Sequence, residues 1–153
     1  MVSSDGDVRV DASERPDGSL YVVPQDGEAV ITGEVKGNLY CAGKSIRIKA
    51  DVEGSIYCAG STIEVDGAVD GNVVVAAQTA TVDGDIAGDV SVFAESFRLS
   101  ESAIIEGDLN GAGSKFTLDG QVEGGILAAV NSLNINNIEK PFGIFFVPNG
   151  SYF

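Results

Sequence analysis

The sequence predicts an all-β protein, a single-domain parallel β-helix, or solenoid, of about six to seven rungs with about 17 residues each. Three observations support this prediction: a glycine recurs at nearly constant spacing, columns of residues around it are apolar, and apolar and polar residues alternate within each short segment. Successive marker glycines are 17, 17, 17, 19 and 17 residues apart. The marker glycines are Gly37, Gly54, Gly71, Gly88, Gly107 and Gly124.

Four apolar columns lie two residues before the marker glycine and two, nine and eleven residues after it. The positions between them are polar, so each segment has one buried face, which is typical of β-strands and does not fit helical spacing. We therefore expect these columns to form the core. Representative core positions are Val52, Ile56, Ile63, Val65, Phe97 and Phe116.

Each unit contains three short strand-like segments, separated by Gly, Ala and Asp-Gly corners. The segments repeat in the same direction, so we expect each to pair in parallel with its copy about 4.8 Å away, in a rod about 30 Å tall. The longer spacing before Gly107 has its two surplus residues in Ser100–Ala103, where small polar residues predict a bulged corner.

The repeat divides the chain into three regions. Residues 1–17 form an acidic N-terminal segment or a partial opening rung, since Val8-Arg9-Val10 is strand-like. Residues 18–138 form the β-helix domain, and residues 139–153 form an aromatic C-terminal tail.

Composition excludes several functions. Asp and Glu number 23 against 9 Lys and Arg, for a net charge of −14, which disfavours nucleic acid and anionic lipid as partners. No apolar run reaches the roughly 18 residues of a membrane span, and the N-terminus does not have the pattern of a signal peptide. The chain has no histidine, the commonest general base and metal ligand.

The lines VEGSIYCAGSTIEVDG and VDGNVVVAAQTATVDG, and the columns over about residues 18–137, resemble the repeat of the bactofilins, bacterial polymer-forming cytoskeletal proteins. The resemblance implies a right-handed β-helix whose copies stack end to end into non-polar filaments without nucleotide. It also implies a scaffold for envelope enzymes or cell-shape machinery. The amino-terminal membrane-targeting segment and the proline-rich terminus of the cytoplasmic bactofilins have no counterpart here.

Cys41 and Cys58 occupy one column in consecutive repeats, and both point inward by alternation. They could form a disulfide or half of a soft-metal site, but the interpretation as two small buried hydrophobes is favoured, because side chains in one column point the same way.

Tyr40 and Tyr57 face outward, one above the other. A carbohydrate or partner platform is possible, but an ordinary aromatic ladder is the favoured interpretation. Asp66, Asp83 and Asp119 share a corner column, each before a glycine, where turn formation is favoured over a calcium site.

The tail carries Phe142, Phe145 and Phe146 between two prolines. These residues could cap the last rung, dock into a neighbouring copy or insert into a membrane interface, in that order of preference, because a β-helix end exposes strand edges and core.

We predict a non-enzymatic scaffold that self-assembles through the β-helix ends and acts in cell shape or envelope organisation. We expect no catalytic residue, metal or cofactor. Its partner is a second copy of itself, with envelope proteins as further candidates. The resemblance implies a cytoplasmic protein that joins the membrane through partners, while an exported or anchored form stays open. The alternative is a capped monomeric binding or adhesion module at the cell surface.

Overall fold

A computed structural model describes residues 2–5, 8–11, 18–136 and 143–148. It confirms the predicted fold class: the described residues form a parallel β-solenoid of about seven turns, with neighbouring turns mostly 17 residues apart. None of these segments forms a helix of the length and hydrophobicity that a membrane span requires.

Each central rung contains one long strand that bends at its middle and covers two faces of the coil. Parallel pairing in constant register skips one residue of each long strand, such as Ser61, and this residue marks the bend. The prediction of three separate short strands is therefore wrong for the first two, because hydrogen bonding continues on both sides of the small corner residues. The long strands are β6 (Leu39–Ile48), β8 (Ile56–Val65), β9 (Val73–Val82), β10 (Val90–Leu99) and β12 (Leu109–Leu118).

In the rung at either end of this stack, two separate strands take the place of the long strand. The first complete rung contains β3 (Leu20–Asp26) and β4 (Glu28–Thr32), and the last contains β14 (Gly125–Val130) and β15 (Ser132–Ile135). Both pairs continue the parallel ladder onto the neighbouring long strand.

The third face of the coil is narrow. It contains parallel two-residue strands and a run of single bridges that joins Val52, Val69, Ile86 and Ile105. The two-residue strands are β5 (Glu34–Val35), β7 (Asp51–Val52), β11 (Ile104–Ile105) and β13 (Gln121–Val122).

Strands outside the predicted repeat domain also join the stack. β1 (Val2–Asp5) pairs with β3, and β2 (Val8–Asp11) pairs with β4. In the tail, β16 (Gly143–Pro148) pairs with β14, which brings the backbone of Phe145 beside that of Leu127 and the backbone of Phe146 beside that of Ala128. Phe142 lies outside the described residues.

The core is a continuous apolar column inside the coil, and no described polar or charged side chain is buried in it. All of the representative core positions have at most 2% of their surface exposed. Phe97 and Phe116 make an edge-to-face contact with ring centroids 5.3 Å apart. Gly111 makes room for them, since a Cβ there would lie 2.5 Å from the Phe116 ring. The large Phe116 ring thus fills the space that a side chain at Gly111 would take, and the core stays closely packed.

The two extra residues of the 19-residue spacing before Gly107 lie where the register between neighbouring rungs changes from 17 to 19 residues. Leu99 and Leu118 are paired although they are 19 residues apart, and the backbone N–H of Ala103 donates to the carbonyl of Ser100 at 3.0 Å. The bulged corner predicted for Ser100–Ala103 is therefore confirmed. A second two-residue surplus lies between Val22 and Glu28, where Gly27 adopts a positive φ of 113°.

Candidate functional site

The three faces of the coil differ in surface chemistry. The first half of each long strand forms what we call the neutral face, the second half forms the mixed face, and the short strands and bridges form the acidic face. Outward positions on the mixed face carry Thr, Ser and charges of both signs, whereas Lys36 is the only cation among the described outward residues of the acidic face.

The neutral face has two outward columns without a charged residue, although 21% of the chain is charged. The first column contains Tyr21, Tyr40, Tyr57, Val74, Ser91, Asn110 and Leu127. The second column contains Val23, Ala42, Ala59, Ala76, Phe93, Ala112 and Ala129.

The tyrosines of this face form a stacked ladder with one more member than the sequence predicted. Ring centroids lie 4.7 Å apart for Tyr21 and Tyr40 and 5.3 Å apart for Tyr40 and Tyr57, with nearly parallel planes. Tyr21 was missed because its repeat lacks the full marker pattern. Each ring covers the face of the next, so Tyr40 offers only its edge to solvent. This arrangement supports the ladder interpretation over a carbohydrate platform, which needs open ring faces.

Cys41 and Cys58 are joined by a disulfide between consecutive rungs, with their Cα atoms 4.5 Å apart. Both are 6% exposed, so they are buried as predicted, but the favoured interpretation as two unbonded thiols is wrong in this structure. Direct pairing of Cys41 with Cys58 in the ladder brings their Cα atoms within the separation that a disulfide needs.

Polar residues at the corner before the neutral face form a ladder of hydrogen bonds that the sequence analysis missed. In each rung a side-chain oxygen accepts the backbone N–H of the equivalent residue one rung further along, at 2.8 to 3.2 Å. The signal was that the column after the marker glycine contains only Asn, Ser and Asp until its last member, Gly125. The accepting residues of this corner ladder are Ser19, Asn38, Ser55, Asn72, Asp89 and Asp108.

The corner ladder explains the marker glycines beside it. The N–H of Gly54 donates to the carbonyl of Gly37 at 3.0 Å, and a Cβ on Gly54 would lie 2.5 Å from that oxygen and against the Asn38 amide. A side chain at Gly54 would therefore collide with the previous rung and displace the Asn38 acceptor.

The described residues contain one group of three carboxylates close enough to surround a cation, Glu64, Asp66 and Asp83, whose ligand oxygens lie within 4.8 Å of one another. Asp66 and Asp83 are neighbours in the predicted corner column. Asp119 is not part of the group, because Ser100 occupies the intervening rung and Asp119 contacts Arg98 at 3.3 Å and the Asn136 amide.

Crowding changes the acidity of this group. Burial, followed by the nearby Asp83 and Glu64 carboxyl groups, raises the pKa of Asp66 to about 7. Its Oδ1 is buried without a hydrogen-bond partner. The neighbouring carboxylates cannot donate to it when they are ionised, so a hydrogen bond between them requires a proton. Ca²⁺ takes about six to eight oxygen ligands, more than these side chains supply. A proton shared between these carboxyl groups therefore explains the cluster better than a bound Ca²⁺ ion does. The Arg47 guanidinium lies 3.4 Å from the Glu64 carboxylate and compensates its charge.

The acidic face has a shallow depression of about 280 Å³, lined in part by Asp70, Asp85, Glu106 and Glu123. At one end of this face Lys36 contacts Glu34 at 2.9 Å and Glu53 at 3.3 Å. The hydrogen bond to Glu34, followed by that to Glu53, raises the pKa of Lys36. The depression itself has a negative lining and repels anionic ligands.

Comparisons with protein-family models, curated proteins and solved structures found no match for this chain.

Proposed function

We propose that this protein is a non-enzymatic structural scaffold, similar to the bactofilins, whose copies stack end to end into filaments that need no nucleotide. Its role is in cell shape or envelope organisation. The observation that carries the proposal is the C-terminal end of the mixed face, where a strand edge has no partner among the described residues and two apolar side chains are only partly buried.

Strand β15 forms this edge. It pairs with β12 on one side, and no described strand pairs with it on the other. Leu133 and Ile135 are only partly buried, whereas the residues that pair with them, Phe116 and Leu118, are completely buried. Another rung at this position would continue the parallel ladder and bury both side chains, which favours association.

The opposite end also presents strand edges among the described residues. β1 and β2 pair with β3 and β4 on one side only. The tail strand β16 pairs with β14, on the neutral face, and no described residue of the tail pairs with β15. This placement supports a tail whose described strand occupies the neutral-face part of the C-terminal end, with the β15 edge available to a second copy.

The surface supports a non-enzymatic role. Besides the acidic depression, a second shallow depression of about 260 Å³ lies on the mixed face, lined by Thr79, Thr81, Arg98 and Lys115 among others. The lining of the second depression places Ser96 beside Lys115 but contains no carboxylate to orient them, and the chain has no histidine.

The disulfide between Cys41 and Cys58 favours an oxidising compartment, and thus the exported or anchored form over the cytoplasmic one. Thiol trapping during lysis of the native cells, followed by mass spectrometry, tests this assignment. A fully alkylated Cys41–Cys58 pair would place the protein in a reducing compartment.

Negative-stain electron microscopy tests the assembly. We expect filaments from the full chain without nucleotide, and their loss in Ile135→Lys, which places a charge at the uncovered end of the core. The matched control is Asn134→Lys, which adds the same charge to an exposed neighbouring residue and should preserve filaments. A chain cut after Ile138 tests the tail: filaments only from this form would make the tail a cap.

If neither form assembles across a range of salt concentrations, the scaffold proposal fails and the monomeric binding module becomes the better account.

A further inference from the structure

The exposed large hydrophobic residues are concentrated on one side of the solenoid. Among the residues whose burial the structure describes, six large hydrophobic side chains are exposed by at least 37%, and of these only Ile104 lies outside the neutral face. The others are Tyr21, Val23, Tyr57, Phe93 and Leu127. An uncharged face in a chain with a net charge of −14 therefore carries five of the six large hydrophobic side chains that the described residues expose. Contiguous patches of this kind mark interaction surfaces.

The face has a shape that complements itself. Phe93 is 57% exposed and lies in a column that is otherwise alanine over six consecutive rungs, with Ala76 on one side and Ala112 on the other. One bulky side chain therefore projects from a flat track of methyl groups. The same track on another copy offers room for that ring, so both parts of the contact are present on a single chain.

We propose that the neutral face pairs with the neutral face of a second copy, with Phe93 of each copy packed on the alanine column of the other. Sheets packed face to face lie about 10 Å apart, a distance that side chains of this size fill. This sideways pairing uses a different surface from end-to-end stacking and does not depend on it.

The distribution of charge favours contact between two copies through the neutral face. The acidic faces of two copies repel each other, since Asp70, Asp85 and Glu106 lie in successive rungs. The neutral face lets two strongly acidic molecules approach without placing like charges in the contact. Added salt should strengthen the pairing, because it screens the remaining repulsion and leaves the apolar contact intact. A basic partner on the acidic surface would respond to salt in the opposite direction.

The contact area of the neutral face limits the affinity of this pairing. Seven rungs about 4.8 Å apart and strands about four residues wide give a face of about 400 Å², or about 800 Å² for both partners. This is below the roughly 1,200–2,000 Å² of stable complexes, so one pair is weak and reversible. Copies already joined end to end would multiply the area, and two stacks would then pair tightly by avidity.

Sedimentation velocity of the full-length Ile135→Lys variant tests the proposal in a background designed to block end-to-end growth. We expect a reversible dimer at concentrations up to about 1 mM. Adding Phe93→Glu or Ala59→Glu should raise the dimer Kd at least about tenfold, because each buries an unpaired carboxylate in the contact. Both positions are exposed in the monomer, and circular dichroism checks that both variants fold.

The matched control is Ile104→Glu, which places the same charge at the exposed large hydrophobic residue outside the neutral face and should leave the dimer unchanged. A monomer at every concentration overturns the proposal, whatever other molecule binds the face. So does association that Phe93→Glu and Ala59→Glu leave as strong as in the Ile135→Lys parent.

Discussion

The side-chain oxygen of Asn38 accepts the backbone N–H of Ser55, one rung further along, at 2.8 Å. Ser55 in turn accepts the N–H of Asn72 at 2.9 Å, so consecutive rungs are joined at this corner through side chains as well as through the backbone ladder. The corner is the point where the chain changes direction and strand pairing alone would leave N–H groups unpaired. The side chains satisfy them.

We expect Asn72→Ala to lower the free energy of unfolding by about 1 kcal/mol, because the N–H of Asp89 loses its 2.8 Å acceptor. Urea denaturation monitored by circular dichroism measures the change. The control is Asn134→Ala, at an exposed position outside the corner ladder, which should be nearly neutral. Equal losses in the two variants would show that the corner ladder adds nothing to stability.

Gly54→Ala should be more damaging than a typical surface substitution, by about 1–3 kcal/mol. The new Cβ would lie 2.5 Å from the Gly37 carbonyl oxygen, and backbone in the preceding rung must move to accept it. Thermal unfolding compares this variant with Thr62→Ala, an exposed position within the same rung. An unchanged melting temperature for Gly54→Ala would mean that the coil relaxes freely at this corner.

Reduction of the Cys41–Cys58 disulfide should destabilise the protein by about 3 kcal/mol, since the bond closes a loop with a sequence separation of 17 residues. The double variant Cys41→Val/Cys58→Val separates the bond from the burial, because Val75 already occupies the next position of that column with 1% exposure. We expect this variant to unfold identically with and without reductant, and at lower denaturant concentration than the oxidised parent. A parent that is insensitive to reductant would contradict the prediction.

The carboxylate cluster should make stability fall as pH rises. The pKa of Asp66 is raised from 3.8 to about 7 in the folded protein, so between these values the folded state binds more protons than the unfolded state. Stability from this group is therefore greatest below about pH 4 and is lost progressively up to about pH 7, by on the order of 1 kcal/mol after solvent screening.

Melting temperatures across this range measure the effect in the parent and in Asp66→Ser, which copies the serine found at Ser100 in the same corner column. The variant should lose the component of the pH dependence that comes from the cluster. Identical pH profiles for the two proteins would show that Asp66 titrates normally.

The repeat made most of the fold predictable. The alternation around Ile56 and Ile63 identifies strands with one buried face, and the constant spacing requires these strands to stack in parallel. The surplus at Ser100–Ala103 could be placed because it interrupts an otherwise regular count. The merging of two segments into one long strand was not predictable, because the Ala-Gly corner has the same composition as a strand break.

The candidate sites were less predictable. The column with Cys41 and Cys58 showed that the two residues are neighbours, but the pattern did not determine whether their sulfurs bond. Asp66 and Asp83 were expected together, whereas Glu64 was not, because it lies in a strand position and reaches the corner only through its side chain. The exposed Phe93 stood in an apolar segment, and only its column neighbours show that it projects from an alanine track.

The sequence by itself determined the coil, its period and its buried columns, because these follow from the alternation of apolar residues and from a spacing that repeats. The tertiary structure decided which side chains meet between rungs: Asn38 with the Ser55 N–H, Cys41 with Cys58, and Asp66 with Glu64 and Asp83. It also sorted the charges by face. These contacts depend on side-chain direction and on distances of a few ångströms between residues far apart in the chain, which no local pattern of residue types contains.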